Sequence, residues 1–223
     1  MNRGLFSTQV NTAWNILKHL ELAAKRVYVP DYSEKASTFR GLTYLDTWKQ
    51  CIQRQSYNFQ LVDNSLIQFQ VDNYTPLELR YVFYECPFES MSYLDFLDSN
   101  DLNYYEVGDG FRAEYEEYLA TCELKETFTP IRYDFSPNLY TEGRHPASHI
   151  HFGHRNEIRI GTRHILRPLS FLLLIIRQNY PNTWQRLLQH EEATNWCKNV
   201  REQLDGIHDT YWNALDEWEM ILT

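Results

Sequence analysis

Three features of the sequence predict an α+β fold. Helical periodicity marks both ends of the chain, strand alternation fills the middle, and one segment after Pro168, LSFLLLIIRQNY, is apolar nearly all round. The expected architecture is a mostly antiparallel sheet with that buried helix packed on one face and helical N- and C-terminal segments. The 223 residues suit a single α+β domain over 1–223. Its parts are a helical 1–55, a sheet-rich 56–165 with an inserted acidic helical segment 88–126, and a helical 166–223.

Ser7 is the expected N-cap of an amphipathic helix reaching about Val27, because Val10, Trp14, Leu17, Ala24 and Val27 recur at helical spacing. Pro30 closes that unit, and a second helix is expected over Thr43–Gln55. The period then shortens to two. Tyr57–Val62 is a strand candidate followed by the turn signal Asp63-Asn64. Ile67, Phe69 and Val71 alternate with Gln68, Gln70 and Asp72, and Leu79, Tyr81 and Phe83 alternate with Arg80, Val82 and Tyr84. These two strands, joined around Asn73–Pro76, predict an antiparallel hairpin ended by Pro87.

Ser90–Gly110 is acidic and aromatic with a short helix, and Phe111–Leu124 reads as a helix with an acidic exposed face. In PIRYDF, Ile131, Tyr133 and Phe135 share one face and Arg132 and Asp134 the other. An irregular loop over Pro137–Pro146 leads to a strand in which His149 and His151 alternate with Ile150 and Phe152. A turn at Gly153–Asn156 follows, then EIRI, with Ile158 and Ile160 opposite Glu157 and Arg159. Pro168 suits the first turn of the buried helix, which is expected to pack on Ile131, Tyr133, Ile150, Phe152, Ile158 and Ile160 and to stop at Pro181. Helices over Thr183–Leu204 and Ile207–Ile221 complete the chain and carry Trp184, Trp196, Trp212 and Trp218 as core residues.

Charge is distributed unevenly within a net −9. Leu61–Glu126 holds fifteen acidic and three basic residues, whereas Phe128–His190 holds eight arginines and three acids. An acidic whole disfavours non-specific nucleic-acid binding, but the local basic stretch suits an anion, and nucleic acid through segment 144–167 remains open. Surface ion pairing is the competing use for these arginines. The four cysteines form no CxxC, which favours a reduced, cytoplasmic setting. Met1–Val10 lacks the apolar core of a signal peptide, and no run is long enough for a membrane span, so no membrane partner is expected. Walker, GxGxxG, HExxH, GxSxG and kinase signatures are all missing from the sequence.

Five of the eight histidines lie between Arg144 and His164. If the late strands are neighbours, one polar face gathers Arg132, Asp134, His149, His151, Glu157 and Arg159. One imidazole can then accept a proton, another donate one, and an arginine hold a phosphate, which is phosphodiester chemistry. The same residues admit a divalent metal. Imidazoles two apart on a strand are separated by ~6.6 Å along the backbone and can converge on one ion, with His145, Asp134 or Glu142 as third ligand. The competing reading is a surface strand with solvated histidines, His145 and His154 among them, and with Asp134 merely paired to Arg132 or Arg159.

Two stretches, Leu61–Phe88 and Tyr133–Pro181, together about a third of the chain, resemble an uncharacterised bacterial family of unknown function. The second resembles the pattern HPxSHxxxG, then RI, then PxxFxxxIIRxxYP. It is met by His145, Pro146, Ser148, His149, Gly153, Arg159, Ile160, Pro168, Phe171, Ile175, Ile176, Arg177, Tyr180 and Pro181. The resemblance implies a bacterial cytosolic protein encoded among mobile-element or phage-defence genes, and it implies no reaction. Its pattern leaves out His151 and so favours His145, His149, Arg159 and Arg177.

Two functions follow as expectations. One is a nuclease or phosphodiesterase-like effector of defence or toxin type, with His149, His145, Arg159, Asp134 and His151 in its site. The other is a non-catalytic subunit or inhibitor that binds the product of a neighbouring gene through the acidic middle, Ser90–Glu126. Small-ligand sensing is a third.

Overall fold

Seven strands pair in the order in which the chain makes them. The computed structural model describes residues 1–28, 41–155, 158–189, 191–202 and 204–218. Its elements run α1 (Arg3–His19), β1 (Ala23–Arg26), α2 (Tyr44–Gln53), β2 (Phe59–Leu61), β3 (Leu66–Tyr74), β4 (Leu77–Tyr84), α3 (Tyr93–Ser99), α4 (Tyr104–Val107), α5 (Arg112–Thr121), β5 (Ile131–Phe135), β6 (Ser148–Phe152), β7 (Ile160–Gly161), β8 (His164–Ile165), α6 (Pro168–Asn179), α7 (Pro181–Leu188), α8 (Glu191–Glu202) and β9 (Asp205–Gly206). Strands β1 to β7 form one antiparallel meander, and β8 pairs with β9 apart from it. The fold class is the α+β arrangement expected from the sequence.

Alternation explains the two faces of the sheet. Ile67, Phe69, Leu79, Tyr81, Phe83, Ile131, Tyr133, Phe135 and Ile150 point to one side. There they pack with Val10, Ala13, Ile16 and Leu17 of α1 and with Phe171, Leu172, Ile175 and Ile176 of α6. Helix α6 begins on Pro168, whose fixed φ and missing N–H suit a first turn, and it is buried as expected. On the opposite side, α2 lays Tyr44, Trp48 and Cys51 over Leu66, Val82 and Tyr84. Thr43 caps α2 by accepting from the Asp46 amide. The rest of that side carries the polar residues of β3 to β6. The acidic insert forms its own small core from Tyr93, Leu97, Tyr115 and Leu119.

Several expectations are corrected. Helix α1 starts at Arg3 with Asn2, not Ser7, as its cap, because the Asn2 side chain accepts from the Leu5 amide. It ends at His19. Glu21 takes a left-handed φ of 58°, and Ala23–Arg26 pair with β2 instead of extending the helix. Of the described residues of EIRI, Ile160 joins a strand and Ile158 and Arg159 do not, and Ile158 is exposed rather than packed under α6. Pro181 ends α6 and at the same time opens α7. The expected Thr183–Leu204 helix is two elements, α7 and α8. The described part of Ile207–Ile221 is not one helix. It holds two short 3-10 turns, Asp209–Tyr211 and Asp216–Trp218. Pro30, Asn156 and Glu157 lie outside the described residues, as does the Trp218 side chain.

Candidate functional site

The polar face is built by register. Gln70 stands opposite Arg80, Arg80 opposite Asp134, Asp134 opposite His149 and His149 opposite Gly161, so four strand pairings set one row across the sheet. A parallel row runs Gln68, Val82, Arg132, His151. Directly opposed residues in an antiparallel pair are close enough for side-chain contact, and diagonal neighbours are within reach of long or aromatic side chains, so Asp134 faces His149 directly and His151 on the diagonal.

Asp134 is the centre. Arg80 donates from Nε to its Oδ1 at 2.9 Å, and Arg132 donates from Nε to its Oδ2 at 2.8 Å. The same Oδ2 lies 3.8 Å from His149 Nε2 and 3.5 Å from His151 Nε2. Asp134, His149 and His151 each offer a ligand atom within 4.8 Å of the others. His149 Nδ1 lies 2.7 Å from the Pro146 carbonyl oxygen. A carbonyl only accepts, so Nδ1 carries the proton, and in the neutral ring the Nε2 lone pair faces Asp134. His145 packs edge-on against His149, and His149 edge-on against His151, each with ring centroids 4.8 Å apart.

Depth separates the members. The imidazoles of His149 and His151 are 2% and 4% exposed, whereas the side chains of Arg80 and Arg132 are 29% and 42% exposed. The two arginine side chains therefore lie nearer solvent than the buried His–Asp layer. Burial pushes the Asp134 carboxyl up, but the His151 contact and the charges of Arg132 and Arg80 outweigh it and hold Asp134 well below the usual carboxylate range. Burial draws His149 down to about 4, only partly offset by Asp134. Burial, then the nearby Arg159 charge, also lowers His145. Burial would lower Arg80 as well, but its pairing with Asp134 raises it instead.

Of the residues expected from sequence, Asp134, His149 and His151 converge, with Arg132 bound to the same carboxylate. His145 borders the cluster through ring packing. Arg159 is half-buried and reaches this region through its charge on His145. Arg177 is exposed at the end of α6, which packs on the other side of the sheet. Glu142 is exposed and outside the converging set, and Glu157 is not described. His154 instead bonds the Leu42 carbonyl oxygen at the start of α2. Arg80 was missed. Its signal was its parity on β4, opposite Leu79 and Tyr81, but its partner is 54 residues away. A separate cleft of about 560 Å³, lined by Trp48, Lys49, Tyr57, Gln60, Arg112 and Tyr115 among others, shares no residue with the row.

Comparison with known proteins adds one match. The family model described as an uncharacterized conserved protein, DUF2290, matches residues 10–209, so the chain belongs to that family. No curated protein and no solved structure matches it.

Proposed function

We propose that this DUF2290 member is a nuclease or phosphodiesterase-like effector whose site is the row Arg80, Arg132, Asp134, His149 and His151. One observation carries the reading. A single buried carboxylate pins two partly exposed guanidiniums by their Nε–H groups, with two buried imidazoles against the same carboxylate. Each guanidinium keeps its terminal amino groups, and a pinned arginine pair is a preorganised clamp for a planar or tetrahedral oxyanion. Exposed Arg144, Arg155 and Arg163 in segment 144–167 supply further phosphate contacts for nucleic acid.

His149, with its pKa drawn down to about 4, is neutral at pH 7 and serves this reading as a weak base through its Nε2 lone pair. Cysteine chemistry is disfavoured, since burial pushes Cys51 up to about 12 and Cys86 up to about 11. All four cysteines are free, which fits a reducing, cytoplasmic setting. No helix among the described residues is long and apolar enough to cross a membrane.

The second reading is a binding subunit or inhibitor that docks on a basic partner encoded by a neighbouring gene. It is supported by the insert, where Leu94 and Tyr105 are exposed among exposed Asp95, Asp98, Asp101 and Glu106.

The test is cleavage of labelled single-stranded DNA and RNA and of a chromogenic phosphodiester by the purified chain. Turnover is expected, with abolition in His149→Ala and a drop of about 10²-fold in Arg132→Gln. A folded wild-type chain that cleaves none of the three, or a folded His149→Ala chain with full activity, overturns the reading.

A further inference from the structure

We propose that Asp134, His149 and His151 form a binding site for one divalent transition-metal ion, held by two imidazoles and a carboxylate. The geometry comes from the backbone. His149 and His151 share a strand face two residues apart, and Asp134 is the direct cross-strand partner of His149. All three side chains are buried, so none is free to swing away. The separations from Asp134 Oδ2, 3.5 and 3.8 Å, are long for direct hydrogen bonds. They lie close to the ~3.3 Å edge of a tetrahedron with metal–ligand bonds of about 2.0–2.1 Å. The three ligand atoms as a set span up to 4.8 Å, so closing the site takes a few tenths of an ångström at Asp134 and a larger approach, roughly an ångström or more, of the two imidazoles toward each other.

The ring orientation points the same way. His149 donates Nδ1–H to the Pro146 carbonyl oxygen, the outer contact that fixes the tautomer of metal-bound histidines and turns Nε2 to the ion. Asp134 accepts one guanidinium N–H on each oxygen and keeps lone pairs for coordination, as ligating carboxylates commonly do. His151 Nδ1 is buried without a hydrogen-bond partner, so His151 is held from the Nε2 side alone.

The donor set selects the ion. One carboxylate already shared by two cations is a poor cage for Mg²⁺ or Ca²⁺, which take mostly oxygen ligands. Two imidazoles suit zinc, iron(II), cobalt(II) or nickel(II). Three protein ligands leave a coordination position open. A dication beside Arg80 and Arg132 also leaves a positive surplus, which a bound phosphate neutralises, so ion and phosphate should each tighten the other's binding. The ion site stands independently of the phosphodiester reading because it is measured without substrate. Its catalytic use rests on that reading.

The test is titration of the chelator-stripped full chain with Co²⁺. One equivalent should bind with visible absorption bands that Zn²⁺ displaces. His149→Gln and His151→Gln should each weaken binding at least 10-fold with the far-ultraviolet dichroism unchanged. If those variants do not fold, X-ray absorption of the zinc-loaded wild type decides, with two imidazoles in the first shell expected. A folded wild type that binds no stoichiometric Co²⁺ overturns the site, as does a first shell without imidazole or unchanged binding in both folded variants. Bound metal without phosphodiester turnover removes the enzyme reading alone. Turnover that survives complete chelation removes the ion's catalytic use alone.

Discussion

The histidine row and the acidic insert are both rich in charge, and they hold it in opposite ways. In the row, Asp134, His149 and His151 are buried, and the charge is carried by two guanidiniums paired to one carboxylate, with two rings packed against it. In the insert, Asp95, Asp98, Asp101, Glu106, Asp109, Glu114, Glu116, Glu117, Glu123 and Glu126 are all exposed. Buried charge is costly unless paired, so the row persists only in one geometry, which is what a site needs. Solvated carboxylates hold no fixed geometry, and they supply a field that steers partners. The difference teaches that charge count alone does not mark a functional surface. Depth and pairing do.

The largest expected effect separates the two regions by stability. Asp134→Asn removes the charge that pairs Arg80 and Arg132. Loss of one partner from a fully buried pair costs about 3–5 kcal/mol, and because these guanidiniums reach water the lower end, about 3 kcal/mol, is expected in urea unfolding. Asp98→Asn in the insert should stay within about 0.5 kcal/mol. Equal losses would erase the contrast.

Acid comes next. His149 titrates near 6.5 in the unfolded chain and at about 4 in the fold. The folded ring stays neutral while the unfolded ring takes a proton. Its contribution is therefore complete above pH 6.5 and is lost as pH falls toward 4, by about 3 kcal/mol in the metal-free protein. Asp134, held low in the fold, adds a further loss below the usual carboxylate range. Unfolding in chelator across pH 4–7 checks this, and in His149→Gln the drop over that window should shrink.

The smallest effect is in the insert. Tyr115 accepts from Asn64 Nδ2 at 2.6 Å and donates to the Met91 carbonyl oxygen at 2.6 Å, tying the insert to the β2–β3 turn. Tyr115→Phe should cost about 1–2 kcal/mol and speed amide exchange in 90–126. Exchange in β5 and β6 should not change.

What was legible follows period and parity. A two-residue alternation survives folding unchanged, so the faces of β3, β4, β5 and β6 could be read, and His151 earned its place by parity although the family pattern omits it. Register across distant strands has no local signal, and Arg80 went unplaced for that reason. Ala23–Arg26 read as helix because Ala24 and Val27 continue the helical spacing of α1, and pairing with β2 overrode it. The C-terminal helix failed because Asp216 gathers Tyr140 Oη, the Gly143 amide and the Asn213 amide, a staple between remote segments that periodicity does not encode.

The decisive measurement applies one oligonucleotide-cleavage assay to two charge variants of the full chain. Arg80→Gln/Arg132→Gln dismantles the clamp, and Glu114→Lys/Glu117→Lys reverses charge on the insert. The account predicts that the first loses at least 10²-fold in turnover while the second stays within about twofold of wild type. Full activity in the folded clamp variant, or a collapse confined to the insert variant, would contradict it.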